Sequence, residues 1–368
     1  MRGKRSLAVA AALAVTAFGV AACGSDSSSS GSSDTSGASA DVGSVGVILP
    51  DSASSNRWET ADRKFLTDAF STAGVKADIQ NANGDKAKFA TLCDQMINDG
   101  VSVLLIVNLD SETGAACQKK AADQGIKTID YDRLTLNGSA SYYVSFDNVA
   151  VGTAQGEGLV KCMKDLGKTS GPVALLNGSP TDNNATLFKQ GYEAAIKAAG
   201  YTIAADQSVP DWDNTKAGTI FEQMYTKANG NFVGVDAAND GLGGAVISVL
   251  QRNGVAGKIP VTGQDATDEG LQRVLLGTQC MTVYKAVKKE ADAASELAIA
   301  LAKGEEPTSA TGTVKDTESG RDVPSVLLEP QAIFADNVKD VVADGYTTAA
   351  KLCTTAALKA ACTKYGVQ

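Results

Sequence analysis

Histidine is absent from the 368 residues, and several classes of chemistry go with it. A Ser-His-Asp or Cys-His nucleophile system needs an imidazole base, and a His-built metal site needs the same ring. Acid–base work would fall to carboxylates and lysines. Aromatic residues make up 5% of the chain and tryptophan occurs twice, so each indole matters where it stands. No Cys-X-X-Cys pair occurs. Positive charge is short as well: 33 Lys and Arg against 42 Asp and Glu leave a formal net charge of -9. A polyanion would meet net repulsion and finds no compensating basic patch, so nucleic acid is not an expected partner. An ordinary spanning helix needs about 20 apolar residues; the run from Leu7 to Val20 falls short of that.

That short run has its own meaning. Arg2, Lys4 and Arg5 precede it and Val20-Ala21-Ala22-Cys23 follows, which is the layout of a secretory signal. The four-residue end resembles a bacterial lipobox, and the resemblance implies cleavage before Cys23 and attachment of diacylglycerol to its sulfur. Gly24 to Asp41 is almost all Ser, Gly, Asp, Thr and Ala, which cannot bury enough apolar surface to repay ordering. The expectation is an exported chain tethered to the outer face of the cytoplasmic membrane.

Setting Cys23 aside leaves Cys93, Cys117, Cys162, Cys280, Cys353 and Cys362, an even number in a compartment where disulfides persist. Cys93 and Cys117 lie on consecutive predicted helices flanking one strand, and Cys353 and Cys362 close a short C-terminal loop. Cys162 and Cys280 remain as the third candidate pair. Buried free thiols are the other reading, and composition does not decide between them.

After the tether, apolar strands alternate with amphipathic helices. Strands are predicted at Val45–Pro50, Val75–Asn81, Val101–Asn108 and Lys127–Tyr131, with helices at Asp62–Thr72, Lys86–Asn98 and Gly114–Gln124. Beyond Asn148 the alternation restarts: a helix from Val149 to Leu166, strands at Val173–Asn177, Thr202–Val209, Phe232–Ala238 and Ile259–Gly263, and helices at Asn184–Ala199, Thr215–Ala228, Leu242–Asn253 and Glu269–Leu276. Near-continuous apolar strands between helices indicate an α/β fold with parallel sheets covered on both faces. Two like lobes fit better than one large domain. Gln279–Lys285 and Val323–Glu329 read as further strands, the second after a loop at Gly304–Asp322. The chain is expected to cross between lobes near Phe146, Val283 and Val326. The lobes would then be 42–146 with 285–325 and 147–284 with 326–346, followed by a C-terminal extension, 347–368.

Ligands of open parallel sheets sit beyond the carboxyl ends of the strands, so the residues just after each strand are the candidates. They are Asn56-Arg57-Trp58, Asp132-Arg133, Asp182-Asn183-Asn184, Asp211-Trp212-Asp213, Asn239-Asp240 and Gln264-Asp265, with Lys285 ending the second crossing. Carboxylates, amides and a planar guanidinium suit vicinal hydroxyls, and indoles suit the C–H face of a sugar ring. Helix capping explains some of these Asp and Asn residues equally well, but Arg, Trp and Lys are not caps. Other motifs fail: Gly167-Lys168-Thr169 lacks the first Gly of a phosphate loop, Gly156-Glu157-Gly158 lacks the third Gly of a dinucleotide fingerprint, and Asp211 and Asp213 are followed by Thr215 and Lys216 where a calcium loop needs a ligand and Gly.

Together with Gln80-Asn81-Ala82-Asn83-Gly84, Ser145-Phe146-Asp147-Asn148, Gly263-Gln264-Asp265-Ala266 and Thr282-Val283-Tyr284-Lys285, these motifs are similar to those of a known family. From Val45 to about Thr347 the chain resembles the bacterial periplasmic sugar-binding proteins of ABC importers, and within them the D-xylose-binding branch. The resemblance implies a type I periplasmic-binding fold: two Rossmann-like, doubly wound lobes joined by a three-crossing hinge and closing on one monosaccharide. It assigns Arg57, Asp132 and Arg133 to the sugar hydroxyls, with Trp58 stacking. From the second lobe it assigns Asn183, Asn239, Asp265 and Lys285, with Trp212 on the other sugar face. Asp147, on a crossing, serves either the ligand or the hinge. No cofactor or metal is implied. The implied partners are an aldose, an ABC permease and, through the lipid, a membrane, with the chain a monomer. A related group binds glucose, galactose and arabinose for uptake and signalling, which makes a sensor the alternative. An enzyme using two carboxylates is the third reading, and a DNA-binding regulator on this fold would need a helix-turn-helix where the secretion signal stands.

Overall fold

The computed structural model describes residues 42–368, so the signal, Cys23 and the tether lie outside the described residues. The chain enters through β1 (Val45–Leu49) and passes a π-helical turn (Trp58–Asp62) into α1 (Arg63–Thr72). It continues as β2 (Ala77–Asn81), α2 (Lys86–Asn98), β3 (Val103–Ile106), α3 (Ser111–Asp123), β4 (Lys127–Tyr131) and β5 (Tyr142–Phe146). It then crosses to α4 (Asn148–Asp165), β6 (Pro172–Asn177), α5 (Asn183–Ala198), β7 (Thr202–Ser208) and α6 (Asn214–Lys227). β8 (Gly234–Ala237), α7 (Asp240–Arg252), α8 (Asp268–Leu275) and β9 (Thr282–Tyr284) complete that run. A return brings α9 (Val287–Ala302), β10 (Gly312–Lys315) and β11 (Asp322–Leu328). A last passage gives β12 (Gln331–Ile333), α10 (Val338–Ala343), α11 (Ala349–Leu352) and α12 (Ala356–Tyr365).

The first sheet has the order β2-β1-β3-β4-β5-β11-β10, parallel except for β10, which pairs antiparallel with β11. Every residue of β1 and β3 is buried, as strands covered on both faces require. One cover is α1 with α9, through Leu66, Phe70, Ala291, Ala294 and Leu297. The other is α2 with α3, where Cys93 bonds Cys117. Helices start where the sequence supplies acceptors: Asp85 caps α2, and Asp110, just past β3, caps α3.

The second lobe is less regular. Its parallel core is β7-β6-β8, and the strand expected at Ile259–Gly263 is reduced to a bridge between Val235 and Val261. Pro260 has no N–H to give, so pairing is interrupted there. The segment still lies between β8 and β9: Val235 N–H donates to Pro260, Thr262 N–H to Val235, and Cys280 and Val283 N–H to Val261 and Gly263. β9 pairs antiparallel with β12.

The structure revises three expectations and adds one strand. β10 forms inside the stretch read as a loop, as the outer partner of β11. β12, too short to show a period, adds to β9. β11 stays in the first sheet through Leu328, so the third crossing falls past the expected boundary at 325. The C-terminal loop is instead α11 and α12, started by Thr348 and Thr355 caps. The Cys162–Cys280 and Cys353–Cys362 bonds join Cα atoms 6.4 and 6.1 Å apart, within the usual disulfide range. Among the described residues no helix is long and apolar enough to cross a membrane.

What places the second lobe's side chains is the contact of α4 with α5. A Cβ on Gly152 would stand 1.9 Å from the Phe188 carbonyl oxygen, and one on Gly191 2.3 Å from the Val149 oxygen. The helices therefore meet backbone to backbone, and α5 is held where Asn184 and Phe188 reach the space between the lobes. Gly152→Ala must force them apart. We expect it to lower unfolding free energy by about 1–3 kcal/mol, measured by urea titration, whereas Gly218→Ala, on α6 with nothing within 4 Å of a Cβ, should not lower it.

Candidate functional site

Just past β1, the Asp51 carboxylate accepts from Ala53 N, Ser54 N and Ser54 Oγ at 2.8, 2.6 and 2.8 Å. This turn delivers Ser54 and Ser55 to the cleft and leads into the π-helical turn that begins with Trp58. Arg57 is almost fully buried and engages three acids. Nε and Nη2 fork onto Asp62 at 2.9 and 2.8 Å, Nη2 also reaches Glu290 Oε2 at 2.6 Å, and Nη1 donates to Asp132 Oδ2 at 3.0 Å. Tyr131 donates its hydroxyl to Asp62 Oδ1 at 2.6 Å. The guanidinium carbon lies 4.4 Å from the Trp58 ring centroid, so the arginine also lies against an indole.

Asp132 has φ 63°, a left-handed conformation that costs a non-glycine residue about 1–2 kcal/mol. Its surroundings hold it there. The carbonyl accepts from Tyr143 Oη (3.1 Å), Ser145 Oγ (2.8 Å) and, from the other lobe, Asn184 Nδ2 (2.8 Å). The backbone reversal sends the adjacent charges to different partners: Asp132 goes to Arg57 and Lys285, while Arg133 forms an ion pair with Asp182 across the cleft, Nε 3.0 Å from Oδ2, and donates Nη1 to the Asn108 carbonyl at 3.1 Å.

On the second lobe, Asp182 caps α5 and also accepts from Trp212 Nε1 at 3.1 Å. Trp212 lies over Gly178, where a Cβ would come within 2.0 Å of the ring. It packs edge-on to Phe188 at 6.5 Å. Asn239 caps α7 and donates Nδ2 to the Ser54 carbonyl at 3.3 Å, another contact between lobes. Asp265, φ 89°, pairs with Lys285 at 3.3 Å, and the same ammonium lies 3.6 Å from Asp132.

These residues line a narrow cleft between the lobes that is partly open to solvent. Of the residues expected at the site, Arg57, Trp58, Asp132, Arg133, Trp212, Asn239, Asp265 and Lys285 line it. Asp147 and Asn183 do not. Asp147 caps α4 through Ala150 N at 2.9 Å and donates its own N–H to Leu328 at 2.9 Å, so it joins the first crossing to the third. Asn183 opens α5 half-buried; one residue on, Asn184 is 2% exposed and takes the cleft position, because one step along a helix start turns the side chain by about 100°. Ser54, Ser55, Asp182, Phe188 and Gln264 complete the lining. Behind it stand Asp62 and Glu290, which had one sequence signal: Glu290 interrupts an apolar stripe of Val287, Ala291, Ala294 and Ala298.

The charges are strongly biased. Burial would push the Asp132 carboxyl up, but Lys285, Arg57 and Arg133 outweigh it and hold it down at about 2. Burial would likewise discharge Lys285, and Asp132 and Asp265 prevent it. Glu290 goes the other way: burial, with the charges of Asp132 and Asp62, raises it well above the usual range despite Arg57. A general acid needs a raised carboxyl aimed at the ligand; Asp132 is a fixed acceptor instead. Three buried polar atoms in the lining have no partner in the protein, namely Ser55 Oγ, Trp58 Nε1 and Gln264 Oε1. Each such group costs about 1–3 kcal/mol when left unpaired. The lining thus combines an unpaired donor, acceptor and hydroxyl with two indoles and a phenyl ring.

Two α/β lobes, three crossings and a polar cleft form a two-lobed binding protein that closes over a small ligand. Residues 45–306 match the family model described as "Periplasmic binding protein domain". The chain is 35% identical over 295 residues to the D-xylose-binding periplasmic protein of Escherichia coli (strain K12), covering 79% of this chain and 87% of that protein. It is 32% identical over 330 residues to a multiple sugar-binding periplasmic receptor of Rhizobium radiobacter, covering 83% and 91%. A carbohydrate transporter solute-binding protein from Chloroflexus aurantiacus, solved with D-glucose, superposes with a TM-score of 0.75 at 28% identity over 83% of this chain and 97% of that one. The chain belongs to the periplasmic binding protein domain family.

Beneath the site, the Asp236 carboxyl on β8 is fully buried with both oxygens unpaired, and burial lifts it from its ordinary 3.8 to about 8. The folded chain therefore keeps a proton that the unfolded chain loses above about pH 4. This contribution to stability is complete below the unfolded value and lost as pH rises through the folded one. Asp236→Asn removes the titration, so relative to wild type the variant should gain about 1.4 kcal/mol per pH unit between about pH 5 and 7, read from urea unfolding at each pH.

Proposed function

We propose that this chain is the extracytoplasmic sugar-binding component of an ABC importer, capturing D-xylose between its lobes and presenting it to a permease. The observation that carries the reading is the set of groups both lobes send into one cavity: Arg57, Asp132 and Arg133 from one, Asn184, Asn239, Asp265 and Lys285 from the other. They alternate fixed donors and acceptors between the Trp58 and Trp212 rings, matching vicinal hydroxyls and the apolar face of a pyranose. The relative named for D-xylose supports the choice of sugar. The wider pattern, including the relative named as a multiple sugar-binding receptor and the neighbour solved with D-glucose, supports the second reading, a glucose-, galactose- or arabinose-responsive sensor subunit. We further propose export, a Cys23 lipid anchor and action as a monomer that binds its sugar without transforming it.

The mechanism is a shift of population. A sugar held by both lobes binds the closed form better than the open one, and that difference in affinity drives closure. In the structure the lobes already touch through Arg133 with Asp182, Asn184 with Asp132 and Asn239 with Ser54. The sugar therefore completes an interface that the protein has partly built.

Isothermal titration with D-xylose, D-glucose, D-galactose and L-arabinose is the test. Saturable binding strongest for xylose is expected; a preference for one of the others moves the assignment to the second reading, and no binding of any overturns both. Arg133→Ala should weaken the preferred sugar by at least about 100-fold, since it removes a charged hydrogen-bonding fork. Folding should survive, because Asp182 keeps Trp212 Nε1 and its capping bond to Asn184 N.

A further inference from the structure

Resting on the sugar-binding reading, we propose that Tyr346 and the disulfide-closed α11–α12 cap are positioning elements of the site, holding Asp265 and Lys285 at ligand-binding geometry. The segment lies past residue 306, where the family match ends.

The need for such a device is visible in the backbone. Asp265 and Ala266 are consecutive left-handed residues, φ 89° and 48°, without glycine. Such conformations persist only where the surroundings over-determine them. Asp265 N–H is fixed to the Val283 carbonyl at 2.9 Å, and Ala266 N–H to Thr282 Oγ1 at 3.2 Å. The carbonyl between the two strained residues accepts from the Tyr346 hydroxyl at 3.2 Å. Burial raises the Tyr346 phenol far above its ordinary value, so it stays a donor throughout the neutral range.

Lys285 is tied to the same segment. The ring of its predecessor Tyr284 packs 5.2 Å from that of Tyr346, and the Tyr284 hydroxyl donates to Asp344 Oδ2 at 2.6 Å. The segment is in turn fastened to α8, which starts three residues after Asp265. Thr347 Oγ1 donates to Asp268, and Gln272 Nε2 donates to the Lys351 carbonyl at 3.0 Å. Leu352, Leu358 and Cys362 share a core with Leu271, Leu275, Tyr284 and Ala266. The Cys353–Cys362 bond closes this cap over a separation of nine residues. Cap, tyrosine pair and ion pair thus form one chain of contacts from the C-terminus to the cleft.

The test uses the full chain and Tyr346→Phe, which keeps the ring and removes the hydroxyl. Affinity for the best of the four aldoses should fall about tenfold, the upper end of what one hydrogen bond is worth, with the thermal midpoint within about 2 °C of wild type. In an Asp265→Asn background the same change should add less than about threefold, because both act through one group. Full additivity, or equal affinity of Tyr346→Phe and wild type, overturns the proposal. Hydrogen exchange on the sugar-free protein gives an independent reading. Peptides spanning 263–286 should exchange faster in Tyr346→Phe and in Cys353→Ser/Cys362→Ser, with 101–131 unchanged; unaltered exchange at 263–286 also overturns it. A wild-type protein that binds none of the sugars defeats the function proposed above and leaves the exchange result to decide this one.

Discussion

The lysine ammonium at the end of the second crossing depends on two carboxylates that belong to different lobes. Lys285 lies 3.6 Å from Asp132 and 3.3 Å from Asp265, and its side chain is almost fully buried. Removing one partner from a buried charge network costs about 3–5 kcal/mol, so the lobes are chemically committed to each other at this point. Arg57 repeats the arrangement one layer deeper, with Asp62, Asp132 and Glu290 around it and Tyr131 closing the ring. Asp132 is shared by both cations. Its left-handed backbone, its low carboxyl and its place at the end of β4 are three aspects of the same constraint.

This constraint explains the division of labour among the polar residues. Those between the cations, such as Asp132, have fixed charge and fixed position. Those at the rim of the network, Ser55, Trp58 and Gln264, line the cavity and each keep a buried atom without a partner in the protein. With the ionic floor holding its side chains in place once the lobes meet, a ligand has few side chains left to order, which lowers the cost of binding.

Much of the fold was legible because buried parallel strands such as β1 and β3 are continuous apolar runs, and the site was legible because charged residues recur at their carboxyl ends. What failed to show has physical reasons. Asn183 and Asn184 are the same residue type, and only the location of the helix start decides which faces the cleft. Asp132 and Arg133 look like a pair in the sequence, but the left-handed backbone at Asp132 sends their side chains to different partners. Glu290 is one carboxylate among 42 acidic residues, distinguished solely by the apolar stripe it interrupts. β10 and β12 exist because a neighbouring strand offers an unpaired edge, a tertiary cause that no local period records. The sugar itself is named by family likeness and by no spacing of residues.

The three crossings have a mechanical consequence. Asp147 N–H donates to Leu328, so the first and third passages are tied side by side, and β9 with β12 ties the second to the third on the far side. Strips fastened edge to edge flex easily about one axis and resist shear and torsion. A hinge built this way brings the two lobes back to the same registration on every cycle, so the outer surface of the closed form has one reproducible contour for any docking partner to read.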